Sequence, residues 1–517
     1  MGYLLAYDIG TTRTKAVLAS EDGRVIASAH ETYPTYYPGP LQAEQEPEDW
    51  WKAMGRTARA VLEQGRARPD EILAVACSTQ MLNVIPLDSE MRPLRRCISW
   101  LDGRAGPEAK WVMGRLGGPA VFAALLGTAI TGKDMLPKYI WLKRHEPETY
   151  RRAAAFLDAG GYILHRATGR LAYEWTTAFM TGLFNLKTKK WDATVMRFMG
   201  LEPAKFPDLV QSCEDVGGLT GAAAADLGLK EGTPVIAGAG DAHCTAVGSG
   251  AVAEGDGHLC LGTSGYVALS TARRFGGKRG IVTTQSADRA KFLMIGETET
   301  CGACLNWAAR ELYRSEPDSA TLQAMDLEVE AEAAGSGGLL FAPWMYGERS
   351  PVADERARAA FVNLGANHTR AQMTRAIYEG TAYNLAWILD SFADHYHLRP
   401  DPIRVVGGGA AGRPWVQILA DVSGRTLEIV AHREVAGALG AALIAGVGIG
   451  LFPTIEATKA RVAVEAVVRP NPDLHSKYSI LLRAFQGLYP ALRRLFHELN
   501  HEEAEAAGDG LGGPKGT

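Results

Sequence analysis

Thr233-Pro-Val-Ile-Ala-Gly-Ala-Gly-Asp-Ala-His-Cys-Thr-Ala-Val-Gly248 changes character halfway along. Val235, Ile236 and Ala237 form an apolar run that ends in small residues and reads as a buried strand, and the residues from Asp241 onward read as a helix. Asp241 sits at the junction, after glycines that let a ligand or another backbone come close. A carboxylate at such a junction points into a cleft, or it only caps the helix behind it. The stretch alone leaves both open.

Just downstream, HLCLGTSGYVALS at 258–270 reads as strand, Gly-Thr-Ser-Gly turn, strand. It repeats the logic of YLLAYDIGTTRTKAVLAS at 3–20, where Asp8 ends one strand and Gly10, Thr11 and Thr12 make the turn. Backbone N–H groups in such turns form anion-binding nests, hydroxyls add donors, and an adjacent acid can hold hydrated Mg²⁺. Two such hairpins predict a duplicated domain with a shared phosphate-binding cleft, unless one short loop is repeated by chance. A third glycine-rich turn, Gly407-Gly-Gly409, comes after PIRVV and precedes a helix start. It offers a flat surface for a purine and ribose, and it lacks the G-x-G-x-x-G and acid of a dinucleotide fold.

Between the hairpins, Trp50 and Trp51 lie on an amphipathic helix over 48–63. ILAVACS at 72–78 returns as a strand ending at Thr79-Gln80-Met81-Leu82-Asn83, and NVIPLD at 83–88 is expected to pair with it. Trp100-Leu-Asp-Gly-Arg104 gathers an acid and a guanidinium that can chelate a polyhydroxylated ligand, or it forms a surface turn with a local ion pair. A long helix is expected over about 369–395. The Gly- and Ala-crowded run from Val435 to Phe452 reads as a close-packed internal helix rather than a membrane span.

A chain of 517 residues implies at least two large domains. Its net charge of −4, with both signs interspersed, argues against nucleic acid and anionic membranes as partners. The 58 glycines exceed the usual ~7% and cluster beside apolar runs. Seven scattered cysteines fit a reducing, cytoplasmic setting, and the lone Cys301-x-x-Cys304 is read as two thiols on one helix face rather than a zinc or redox site. MGYLLAYDIG reads as a first strand and not as a signal peptide.

Taken together, DIGTTRTK at 8–15, EQEPEDWW at 44–51, TQM at 79–81, WLDGR at 100–104, KYIWLKRHEPE at 138–148, GAGDAHCTAVG at 238–248, LGTSG at 261–265, YGERSP at 346–351, QMTRAIYEG at 372–380 and GGGAAGRPWVQILADVSG at 407–424 resemble the FGGY carbohydrate kinases over about residues 3–490. Within them the chain is most similar to the xylulokinase group. The resemblance implies an α/β, actin-like ATPase fold with two RNase H-like domains and a shared cleft. The sugar-binding domain would span 1–248, the ATP-binding domain 249–490, and a disordered tail 491–517. It implies Asp241 as general base and Asp8 as the Mg²⁺ or phosphate-loop acid. Gln80, Met81, Leu82, Asp102, Arg104 and Ala242 would line the sugar with Asp241. Thr11, Thr12 and Lys15, then Gly262, Thr263 and Ser264, would take the phosphates, and Gly408, Gly409 and Ala410 the adenosine.

The implied partners are a small sugar and ATP, with a homodimer left open. Four departures fall on the pattern. Leu82-Asn83 stands for His-Gly, Leu101 for an amide, Gly160-Gly161 for Lys-Asp, and Asn363 for a glycine. Losing donors at 82 and 101 is expected to change the sugar accepted, so a ketose other than D-xylulose, a polyol or a sugar acid is the alternative. An actin-like ATPase or a sugar sensor without kinase activity is the alternative class.

Overall fold

The computed structural model describes residues 2–118 and 129–500. Two sheets carry the molecule. In the first, Tyr3–Ile9, Arg13–Ser20 and Val25–Thr32 form an antiparallel meander. Ile72–Thr79 and Pro234–Gly240 then add in parallel on the other side of Tyr3–Ile9, and Asp215–Gly218 closes that edge. The second sheet repeats the plan. Gly257–Leu261, Gly265–Thr271 and Phe292–Thr298 form its meander, Ile403–Val406 and Leu427–Val430 add in parallel, and Val282–Gln285 and Val464–Val468 are its edges. The expected duplication is therefore a duplication of whole sheets.

Period-2 alternation sorts each strand between two cores. Leu5, Tyr7 and Ile9 point to the face covered by the helix Pro47–Gly65, with Trp50, Met54, Ala58 and Val61 against them. Leu4 and Ala6 point the other way, into a core shared with Ala438, Leu439, Ala442 and Leu443 of the helix Ala436–Gly448. Asp8 continues that even-numbered series and so faces the second domain. The expected internal helix is thus present. It comes after the last parallel strand of the second sheet in the chain and packs on the first sheet.

There it crosses the helix Asp241–Ser249, which stands in the same place after the first sheet. The crossing is glycine on glycine. A Cβ on Gly440 would lie 1.8 Å from the Cys244 carbonyl oxygen, and one on Gly248 would lie 1.8 Å from that of Ala436.

Two expectations change. Ile85–Leu87 pairs with Ala155–Leu157 and not with Ile72–Thr79, because both sides of Ile72–Thr79 are already taken by Tyr3–Ile9 and Pro234–Gly240. The helix Leu488–Leu499 occupies part of the stretch assigned to a disordered tail. Its Leu488 and Phe496 are buried, and Tyr489 and Phe496 pack edge-on against Trp344. The rest of that tail, 501–517, lies outside the described residues. No helix among the described residues is long and apolar enough to cross a membrane.

Candidate active site

Asp241 opens the helix Asp241–Ser249 directly after strand Pro234–Gly240, and its carboxylate accepts the N–H of Ala242 at 2.7 Å. It does not cap by reaching two or three residues ahead, so the capping alternative falls away. Burial, then the charge of Asp8, pushes its pKa up to about 7. Asp8 thus lies near enough for its charge to be felt at Asp241. Asp8 accepts a hydrogen bond from the Ser78 hydroxyl at 2.8 Å, and Lys15 lies 3.8 Å from its other oxygen. Lys15 also donates to the Glu434 carbonyl of the second domain at 2.7 Å. Gly437 leaves room here, since a Cβ on it would sit 3.0 Å from the Asp8 carboxyl carbon.

Both Gly-hydroxyl turns reach the surface. Thr12 and the pair Thr263 and Ser264 are exposed, with Gly262 half-buried. The Thr263 carbonyl accepts from the N–H groups of Cys301 and Ala303, which seats the turn on the helix Gly302–Glu311. Thr11 is placed differently from Thr12. Its hydroxyl accepts from Trp100 Nε1 at 2.8 Å and its carbonyl from Gln45 Nε2 at 2.6 Å, tying it to the neighbouring pocket. At the third turn Gly408 faces open space, Gly409 backs onto Trp415 and Leu261, and the Ala410 side chain is buried. Ala410 as a whole is 1% exposed, so the open part of this turn is Gly408.

In the first domain, Gln80 is buried and donates to Gln45 Oε1 at 2.7 Å, while its own Oε1 has no partner. Asp102 is buried and the Arg104 side chain is 6% exposed, which removes the surface-turn alternative. Arg104 binds both Asp102 oxygens and reaches Glu44 at 2.7 Å, and Asp102 also accepts the Ala43 N–H. The pair is thus braced internally. Met81 and Ala242 join Ala246, Ala268, Leu293 and Ile295 in a small apolar cluster at the seam between the domains.

Several residues escaped the sequence reading. Gln45 links Gln80 to Thr11. Lys138 is fully buried and donates to the carbonyls of Leu82 and Ser99 at 2.7 and 2.8 Å. It holds the 80–83 and 98–102 turns at fixed separation. Burial drives its pKa down to about 7, against the pull of Asp102 and Asp134. The one available signal was a lysine on the apolar stripe of Met135–His145, where Leu136, Tyr139 and Ile140 are buried. Arg349 is a second omission. It pairs with Glu297 at 2.6 Å and with Glu299, all within the second domain.

Known proteins share this architecture. Residues 3–248 match the model of the FGGY family of carbohydrate kinases, N-terminal domain, and residues 257–449 match that of its C-terminal domain. A xylulose kinase of Bacillus subtilis is 30% identical over 95% of this chain and 97% of its own. A gluconokinase of the same organism is 28% identical over 96% and 97%. Solved structures of a ligand-bound xylulose kinase and of a gluconate kinase from Lactobacillus acidophilus each superpose with a TM-score of 0.88 at 26% identity. Each covers 96% of this chain, and 100% and 99% of their own.

Proposed function

The chain belongs to the FGGY family of carbohydrate kinases, with the actin-like α/β fold of its sugar-kinase neighbours, and from that premise we propose that it transfers the γ-phosphoryl group of MgATP to a terminal hydroxyl of a small sugar, D-xylulose first among candidates. The observation that carries the reading is Asp241, a carboxylate at a strand-to-helix junction whose pKa burial and the nearby charge of Asp8 push up to about 7. A hydroxyl is a poor nucleophile, and a carboxylate with that affinity for a proton can accept one as the oxygen attacks. Thr12 and Lys15 on one side, and Gly262, Thr263 and Ser264 on the other, would offset charge on the phosphoryl oxygens. Gly408 and Gly409 would support the nucleoside, with Ala410 buried behind them.

Asp8 and the nearby Asp241 supply carboxylate oxygens, the donor type Mg²⁺ takes beside phosphates and water, so the residues fit that ion, with Asp8 as its holder. Bound there with the nucleotide, the ion would neutralise charge on the β- and γ-phosphates. Closure of the two domains would exclude water that otherwise hydrolyses ATP. Gln80, Asp102, Arg104 and Leu82 are assigned to the sugar side, with Gln45 added. Seven free thiols support a cytoplasmic setting.

A sugar acid such as gluconate is the second reading. It is favoured by a gluconate kinase structure that superposes as well as the xylulose kinase does, and by Leu82 and Leu101 in place of polar side chains. The test is ADP release from MgATP over ketoses, polyols and sugar acids, with Asp241→Asn alongside. One acceptor should stimulate the native protein far above its background and leave the variant silent while ATP still binds. Turnover surviving in Asp241→Asn would remove the base, and stimulation by no acceptor would return the chain to an ATPase or a sensor.

A further inference from the structure

The strand that delivers Asp241 is not regular. Pro234–Gly240 slips register against Ile72–Thr79 between Ile236 and Ala239. At the slip Gly238 has φ +73°, and a Cβ there would sit 1.9 Å from the Cys77 carbonyl oxygen. A bulge of this kind re-aims the residues after it and turns backbone donors out of the ladder. Those donors need acceptors. Gly238 N–H donates to the Ser212 carbonyl at 3.0 Å, and Gly240 N–H donates to the Thr176 hydroxyl at 2.9 Å.

Both acceptors hang from one side chain. Glu174 accepts the Ser212 hydroxyl at 2.6 Å on one oxygen. On the other it accepts the Thr176 hydroxyl at 2.5 Å and the Thr176 N–H at 2.8 Å. Glu174, Thr176 and Ser212 are each at most 2% exposed, so water does not compete. A hydroxyl has a single proton. With that proton committed to Glu174, the Thr176 oxygen is left as a fixed acceptor for the Gly240 N–H.

We propose that Glu174 and Thr176 are positioning residues for phosphoryl transfer: the carboxylate orients the Thr176 hydroxyl, which pins the bulged backbone at Gly240 and so sets where the Asp241 carboxylate meets the acceptor hydroxyl. The proposal rests on the reading of Asp241 as base. The hydrogen bond ends on Gly240 and not on Asp241, so the brace acts through one peptide. Such leverage is steep, because an ångström of misplacement costs of order a hundredfold in rate.

Thr176→Val keeps the shape and removes the acceptor, whereas Thr176→Ser keeps the acceptor. The expected result for Thr176→Val is a fall in kcat of tenfold or more, with KM for ATP and the Kd of a non-hydrolysable ATP analogue within twofold of native. Thr176→Ser should be near native. If Thr176→Val does not accumulate as folded protein, Thr176→Cys, whose thiol is a weak acceptor, should fall between native and Ser on one side and inactivity on the other. Native kcat in Thr176→Val overturns the brace, as does a Thr176→Ser variant as impaired as Val. So does a rise in both KM values at unchanged kcat. Turnover surviving in Asp241→Asn removes the base itself, a result separable from any of these.

Discussion

Asp241 combines function with a cost to the fold. Its folded pKa, near 7, lies above the unfolded value of about 3.9. The native state therefore holds a proton that the unfolded chain releases, and stability falls as pH rises from about 4 to about 7. Asp241→Asn should be the more stable protein at pH 8, by about 1–3 kcal/mol after allowing for solvent reaching the cleft, and no more stable than native at pH 4. Thermal unfolding at both pH values checks this. Activity of the native enzyme should show an ascending limb near pH 7, as the base loses its proton.

Leu82 adopts φ +59°, a conformation that histidine tolerates better than leucine. Leu82→His should raise kcat/KM for D-xylulose relative to gluconate by about tenfold or more, at no loss of stability. An unchanged acceptor profile would take position 82 out of the sugar pocket. Asn363, with φ +69°, occupies the family's glycine position because asparagine is among the few side chains at ease there. The substitution was legible in the sequence and the backbone conformation that admits it was not, since φ is set by the surrounding backbone.

Regular elements with strong periodicity were legible, among them both hairpins, the helix Arg370–Tyr396 and the glycine-rich helix Ala436–Gly448. The strand Ile85–Leu87 was legible but its partner was not, because Ala155–Leu157 lies some 70 residues downstream and pairing depends on which sheet edges are free. Lys138 shows the same limit for the site. Its role depends on two carbonyls from separate turns, which no local pattern announces. Lys138→Met, similar in length but with no donors, should raise the sugar KM several-fold with little change in KM for ATP, as steady-state kinetics would show.

The crossing of Asp241–Ser249 on Ala436–Gly448 gives a sharper prediction. Gly440→Ala would drive a methyl group into the Cys244 carbonyl, and the helices would have to part. A loss of about 1–3 kcal/mol or more is expected, read as a lower denaturation midpoint.

The two sheets are alike in plan, yet they do not own equal shares of the chain that covers them. One face of the first sheet is covered by residues 47–65, and the other by 436–448. Domain boundaries at 248 and 249 therefore divide the chain without dividing the core. A fragment ending at residue 248 would leave Leu4, Ala6, Val17, Ala74 and Ile236 bare. It should aggregate when expressed alone, whereas the full chain remains dispersed in the same sedimentation assay.

During synthesis the same geometry imposes a wait. The first sheet can form its strand pairs once Gly240 has left the ribosome, but its second cover is still about 200 residues from being made. At 5–20 residues per second that is roughly 10–40 s with an apolar face uncovered. A nascent chain in that interval is a natural client for a holding chaperone, and slow codons before residue 436 would lengthen the exposure.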